Sequence, residues 1–204
     1  MMKVAFYRRL VVFLLALTII CSSASAQPGW RGGEGSTYQL WKFDNPDNGA
    51  FPDIDENEYG PATATVTPSG SAGYYDAGWY ESFLGRTGVY HGSEIEVDMT
   101  IPNREFIGGY KEIVITAEIR GDLSDWSITP DVDGTVSPGD ITVQPSEQMD
   151  GWLTWQGEWT IEPNPTSEDI MLQFGGACGA QIDQVEVDTR CIPEPATLTL
   201  LATG

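Results

Sequence analysis

The stretch Glu94-Ile95-Glu96-Val97-Asp98-Met99-Thr100-Ile101 decides the fold. Its apolar residues Ile95, Val97, Met99 and Ile101 occupy every second position, with acids and a threonine between them. A period of two puts the four apolar side chains on one face of an extended strand, whereas a helix would scatter them around its circumference. Working outward, Ile113, Ile115, Ala117 and Ile119 form a like stripe opposite Glu112, Thr116, Glu118 and Arg120, and Val114 marks that strand as the more deeply buried. Gln39, Trp41 and Phe43 share one face against Tyr38 and Leu40, and Trp155, Trp159 and Ile161 share another across Gly157. Ile170 to Phe174 reads as one arm of a hairpin, with a Gly-rich turn and then Val185 and Val187 on the other arm. In residues 27–192 no apolar i, i+3, i+4, i+7 pattern persists for three turns. Strands punctuated by Gly, Pro and Asp turns predict an all-β domain over residues 37–191, an antiparallel β-sandwich. The Gly-rich residues 27–36 are expected to form a flexible lead-in, and Ile161-Glu162-Pro163-Asn164-Pro165 a rigid turn.

The chain of 204 residues carries 30 Asp and Glu against 10 Lys and Arg, a formal net charge of −20. So acidic a surface repels phosphate backbones and anionic lipids, which excludes nucleic acid as a charge-driven partner. One histidine, His91, and three cysteines supply no Cys/His zinc motif. Residues 1–26 have the three parts of a secretory signal peptide: basic Lys3, Arg8 and Arg9, an apolar run from Leu10 to Cys21, and small residues at Ala24 and Ala26 before Gln27. The run is too short for a permanent span of ~20 residues, so a cleaved signal helix is expected, with a Sec-type export machinery and signal peptidase as partners. Cleavage after Ala26 leaves seven basic residues against thirty acidic ones, a net charge of −23.

At the other end, residues 192–204 read Ile192-Pro193-Glu194-Pro195-Ala196-Thr197-Leu198-Thr199-Leu200-Leu201-Ala202-Thr203-Gly204. Pro193-Glu194-Pro195 followed by small and apolar residues resembles the PEP-CTERM sorting signal of exported proteins in exopolysaccharide-producing Gram-negative bacteria. That resemblance implies processing by an exosortase and delivery to the cell envelope, outer surface or extracellular matrix, with transient anchoring where the tail is complete. The family's tail continues into a membrane helix with an Arg-rich end. Here the apolar run stops at Gly204 without a basic cluster, so the tail is expected to be either cut short within its sorting helix or a decayed signal. Within the body, Gln181-Ile182-Asp183-Gln184-Val185-Glu186-Val187-Asp188-Thr189 resembles the last strand of galactose-binding-like jelly rolls. This favours a jelly-roll-like sandwich and implies a carbohydrate-binding ancestry.

Candidate sites follow from residue chemistry. Asp53, Asp55 and Asn57 present oxygens at every second residue, as a structural Ca2+ site could use, although the glycine and distal glutamate of an EF-hand are missing. The neighbouring stretch Asp44 to Gly49 is acidic as well, and a solvated acidic loop is the plainer alternative. Tyr74, Tyr75, Asp76 and Trp79 lie in a glycine-flanked segment, where aromatic faces could stack on sugar rings and Asp76 could bind hydroxyls. Cys178 and Cys191 are the cysteines left after signal cleavage, and export permits a disulfide between them. A hairpin would hold them ~17 Å apart, beyond the ~7 Å that a disulfide allows. For catalysis, His91 reads as a strand-end or surface residue, and no Gly-x-Ser-x-Gly elbow accompanies it. Acid pairs such as Glu94/Glu96 and Glu112/Glu118 share faces by parity, leaving a small two-carboxylate glycoside hydrolase as a third reading. The expectation is an exported, non-enzymatic envelope or matrix protein, with a carbohydrate-binding module recognising exopolysaccharide as the alternative.

Overall fold

The computed structural model describes residues 27–46, 51–104, 109–146 and 151–194, and these contain ten β-strands and no helix. They are β1 (Ser36–Lys42), β2 (Ile54–Glu56), β3 (Thr63–Ser69), β4 (Gly78–Phe83), β5 (Arg86–Pro102), β6 (Tyr110–Arg120), β7 (Asp122–Pro130), β8 (Thr135–Pro145), β9 (Leu153–Glu162) and β10 (Ser167–Ile192). Every strand pairing is antiparallel. The expected signal helix, with Ala24 and Ala26, and the tail from Pro195 onward lie outside the described residues.

The alternation that predicted β5 is realised: Ile95, Val97, Met99 and Ile101 are buried, while Glu94, Asp98 and Thr100 are exposed. On β6 the inward stripe Ile113, Ile115, Ala117 and Ile119 is buried, and Val114 and Thr116 are covered from the other side as well.

The expected hairpin is absent. Ile170–Phe174 and Val185–Thr189 belong to one strand of 26 residues, and they pair with different neighbours. The first part of β10 lies between β5 and β7, the last part between β1 and β6. Between them Gly175 pairs with Glu94 and Ala180 with Gly92, so four residues of β10 stand against Ser93 alone. Gly176-Ala177-Cys178-Gly179 therefore loops out as a bulge while β5 runs past and keeps the chain direction. Gly179 fits there because it adopts a positive φ of 84°, and a Cβ on it would lie 2.3 Å from the Ala72 Cβ. A second register shift between Ile182 and Gln184 changes the inward parity from Ile170, Leu172, Phe174, Ala180 and Ile182 to Val185 and Val187.

This geometry also separates the cysteines. Both are free, with Cys178 exposed in the bulge and Cys191 buried near the strand's far end. Eleven strand steps from Ala180 to Cys191 put them on the order of 30 Å apart, too far for the disulfide that export would permit.

One sheet connects all ten strands, and its arms come together around a common core. Trp155 of β9 meets Phe174 of β10 with ring centroids 6.4 Å apart, and Trp159 of β9 meets Trp126 of β7 at 5.3 Å. Strand β9 pairs with neither of those partners, since its neighbours are β6 and β8. The lead-in is folded into successive turns. Backbone turns link Arg31 to Pro28, Gly33 to Trp30 and Ser36 to Gly33, and the Arg31 guanidinium donates to Glu186 and Asp188 while lying over the Tyr38 ring. The Arg31 cation offsets two acids that burial would otherwise leave uncompensated, and ties the glycine-rich turns to β10.

Candidate functional site

Two adjacent clefts of the described surface are lined by both aromatic and polar side chains. The first, about 510 Å³, is lined by Tyr74, Tyr75, Phe83, His91, Gln181 and the bulge of β10 among others. A tight turn closed by reciprocal backbone bonds between Ala72 and Tyr75 projects Tyr74 fully into solvent and leaves Tyr75 half exposed. Behind Tyr75 the rings of Tyr80, Phe83 and His91 form a continuous edge-to-face and stacked cluster, with Tyr75 4.9 Å from Phe83 and Phe83 4.8 Å from His91. Such packing fixes the ring that faces the cleft.

His91 is buried in this cluster, contrary to the surface placement expected of it. The Gln181 amide nitrogen sits 2.9 Å from His91 Nδ1, and because an amide NH2 only donates, Nδ1 accepts. Burial pushes the His91 pKa below its ordinary value, opposed in part by a hydrogen bond to the Ala72 backbone, so burial favours the neutral ring.

The second cleft, about 430 Å³, lies between edge strands β7 and β8 and is lined by Leu123, Ser124, Asp125, Trp126, Ile141, Val143 and Trp155 among others. Ile141 and Val143 are exposed on β8, and Trp126 is half-buried. Gly121 and Asp122 line both clefts, so the two meet at the corner where β6 turns into β7. That corner places Arg120 in the first cleft and Asp122 in both. Aromatic surfaces thus stand at the two ends with hydrogen-bonding groups between them, and the volumes fall within the range of small-ligand sites.

Of the four residues expected to contact a ligand, Tyr74 and Tyr75 line the first cleft. Asp76 and Trp79 are turned to other work: Asp76 accepts from the Ser71 hydroxyl at 3.1 Å, and the Trp79 indole N–H donates to the Phe43 carbonyl at 2.7 Å. The sequence reading missed His91, Gln181, Arg120, Asp122 and Trp126 as cleft residues. The one signal that could have pointed to the corner is Arg120-Gly121-Asp122, a lone glycine between two strand-like runs.

The acidic segment is engaged in hydrogen bonds. The Lys42 backbone N–H donates to Asp53 at 2.6 Å, the Ala62 N–H donates to Asp55 at 3.4 Å, and Asn57 accepts from the Tyr59 N–H at 3.0 Å while donating to the Pro102 carbonyl. These contacts hold the short edge strand β2 against its surroundings, and among the described residues no group of three His, Cys, Asp or Glu side chains is arranged to hold a metal. Burial raises the Asp55 pKa, countered by the Ala62 N–H. Residues 47–50 of the acidic stretch lie outside the described residues.

Among the acid pairs, Glu112 is 2.5 Å from Arg190, and Glu118 takes Arg86 at 3.0 Å and the Thr154 hydroxyl at 2.5 Å. Six residues of strand separate these two acids by ~20 Å, well beyond the ~5–9.5 Å used by glycosidase carboxylates. Glu94 and Glu96 stand on the outward face of β5, opposite Ser69 and Thr67 of β3. Pro193 and Glu194 of the tail motif are exposed just beyond β10. The chain matches no family model, and neither a characterised protein nor a solved structure is significantly similar to it.

Proposed function

We propose that this chain is an exported carbohydrate-binding protein, delivered to the envelope or extracellular matrix by an exosortase-type system and built as a jelly-roll-like β-sandwich. The observation that carries the binding role is the pair of clefts meeting at Gly121 and Asp122, with Tyr74 and Tyr75 at one end and Trp126 at the other. Sugar rings present C–H faces to aromatic rings and hydroxyls to polar groups, and a chain of sugars would meet both along this path. The cross-core ring contacts of Trp155 with Phe174 and of Trp126 with Trp159 support a sandwich. Export rests on the signal-like residues 1–26, and sorting on Pro193-Glu194-Pro195.

The net charge of −23 after signal removal selects among glycans, since uronate-bearing polymers meet electrostatic repulsion and neutral ones do not. The test is retardation of the mature protein in native gels cast with neutral or uronate-rich polysaccharides. Retardation by a neutral polymer that Tyr75→Ala and Trp126→Ala each abolish, with melting temperatures within a few degrees of wild type, supports the proposal. Binding that survives both substitutions, or no binding across the panel, refutes this use of the clefts.

A further inference from the structure

Three inward-facing apolar stripes end in polar residues at the same place in the core. The β5 stripe Ile95, Val97, Met99, Ile101 continues in phase to Asn103, one residue past the strand's end, on β6 the stripe begins at Lys111 before Ile113, and on β10 it begins at Glu168 before Ile170. All three are buried, and the side chains of Lys111 and Glu168 are wholly shut off from solvent. Lysine is rarely buried so completely, and this chain has only Lys42 and Lys111 beyond its signal-like segment.

The contacts among the three are specific. Lys111 Nζ lies 2.7 Å and 2.9 Å from the two Glu168 carboxylate oxygens and donates also to Asn103 Oδ1. The Asn103 amide nitrogen donates to Glu168 Oε2, and the Asn103 backbone N–H is anchored on the Thr166 carbonyl at 2.8 Å. The amine therefore rests against the oxygen of a carboxamide, one bond from its carbon, with a single carboxyl touching both the amine and the amide nitrogen.

We propose that Lys111 and Asn103 join in an isopeptide bond, formed within the folded protein with Glu168 as the catalytic acid and base. Lys111 Nζ, as the free amine, attacks Asn103 Cγ, the Cγ=Oδ1 π electrons move onto Oδ1, and a tetrahedral intermediate forms with its negative charge there. Glu168 takes a proton from Nζ and delivers one to Nδ2, the Cγ–Nδ2 bond breaks, and ammonia leaves. The lysine amine and the carboxamide become a secondary amide plus ammonia, and Glu168 ends as it began, protonated; no oxidant or cofactor is needed.

The surroundings favour each step. Burial disfavours both ions, pushing the Lys111 pKa down and that of Glu168 up, each opposed by the other's charge, and both directions favour the free amine and protonated carboxyl from which the step starts. The other titratable groups that bear on the pair are Cys191, whose thiol is itself pushed up by burial, and Asp131. The reactants are held in contact by three strands, so little entropy remains to be lost at the transition state. A buried ion pair carries a large desolvation cost, and the amide product removes it.

Peptide mapping of the folded mature chain tests this directly. Trypsin cuts after Arg104 but not after an amidated Lys111, so the bond appears as two peptides joined through Asn103 and Lys111, lighter by one ammonia. Localisation matters because an N-terminal Gln27 and Asn48-Gly49 can each lose ammonia by their own cyclisations. The joined peptide is expected in nearly all wild-type molecules and absent from Glu168→Gln. Should that variant fail to fold, Glu168→Asp keeps the charge but shortens the reach, and is expected to form the bond at least tenfold more slowly after refolding. Folded wild-type protein whose Lys111 is cut by trypsin overturns the proposal. Bond formation undiminished in Glu168→Gln, or at the wild-type rate in Glu168→Asp, overturns the role given to Glu168.

Discussion

Replacing Gly157 with alanine adds one methyl group where the core has no room for it. Gly157 sits between Trp155 and Trp159 on β9, and a Cβ there would lie 2.3 Å from Trp159 Cη2 and 2.9 Å from Trp155 Cη2. These are the far ends of side chains, so the clash would be cheap if the rings could swing away. They cannot, because both rings are essentially inaccessible to solvent and wedged against each other, against Trp126 and against Phe174. Overpacking of this kind costs about 1–3 kcal/mol, and the backbone advantage of alanine over glycine in a strand returns only a fraction of that. A net loss of about 2 kcal/mol in a domain of this size lowers the melting temperature by roughly 4–8 °C. Guanidinium unfolding followed by tryptophan fluorescence reads the change directly, and Gly78→Ala is the control, since a Cβ at Gly78 meets nothing within 4 Å. Trp159→Phe in the Gly157→Ala background removes the atoms that clash and should recover part of the loss, a coupling that a double-mutant cycle detects. If Gly157→Ala is as stable as Gly78→Ala, the tight packing described for β9 is wrong.

Stability should also depend on pH through His91. Its folded pKa lies below the ordinary 6.5, so below that value the unfolded chain binds more protons than the native one, and stability falls as pH drops from 7 toward 5. His91→Gln should flatten the difference in stability between pH 7 and pH 5, measured by denaturant unfolding at each; an unchanged difference would show that burial does not disfavour the charged ring. The two cysteines should differ sharply toward a thiol reagent. Exposed Cys178 reacts in the native state, whereas Cys191, buried and with its pKa raised by burial, reacts only on unfolding; equal native rates in single-cysteine variants would contradict the placement of β10.

Much of the strand content was legible locally because β-structure buried on one face writes itself as alternation. Ile95 to Ile101 and Ile113 to Ile119 face inward as their spacing requires, and Trp155, Trp159 and Ile161 share the core face across Gly157. The same rule, extended by one residue at each stripe's end, would have placed Asn103, Lys111 and Glu168 inside. Polar residues at a strand's end, however, look in sequence like the boundary of the stripe. In the candidate site, Tyr74 and Tyr75 were legible from their glycine-flanked aromatic run, whereas Asp76 and Trp79 from that run are engaged elsewhere.

Sequence by itself determined the β-character of this protein, the inward parity of β5 and β6, the acidic surface and the lack of a Cys/His metal motif, because each depends on composition or on neighbours a few residues apart. Tertiary structure alone decided that Gly176 to Gly179 bulge out instead of reversing the chain, since that outcome depends on β5 being present to pair on both sides of the glycines. It alone brought the β6–β7 corner beside Tyr75, buried His91 against Phe83, and set Lys111 between Glu168 and Asn103. The pairing partners of these strands lie dozens of residues apart, and alternation fixes which face a side chain takes but never which strand lies next to it.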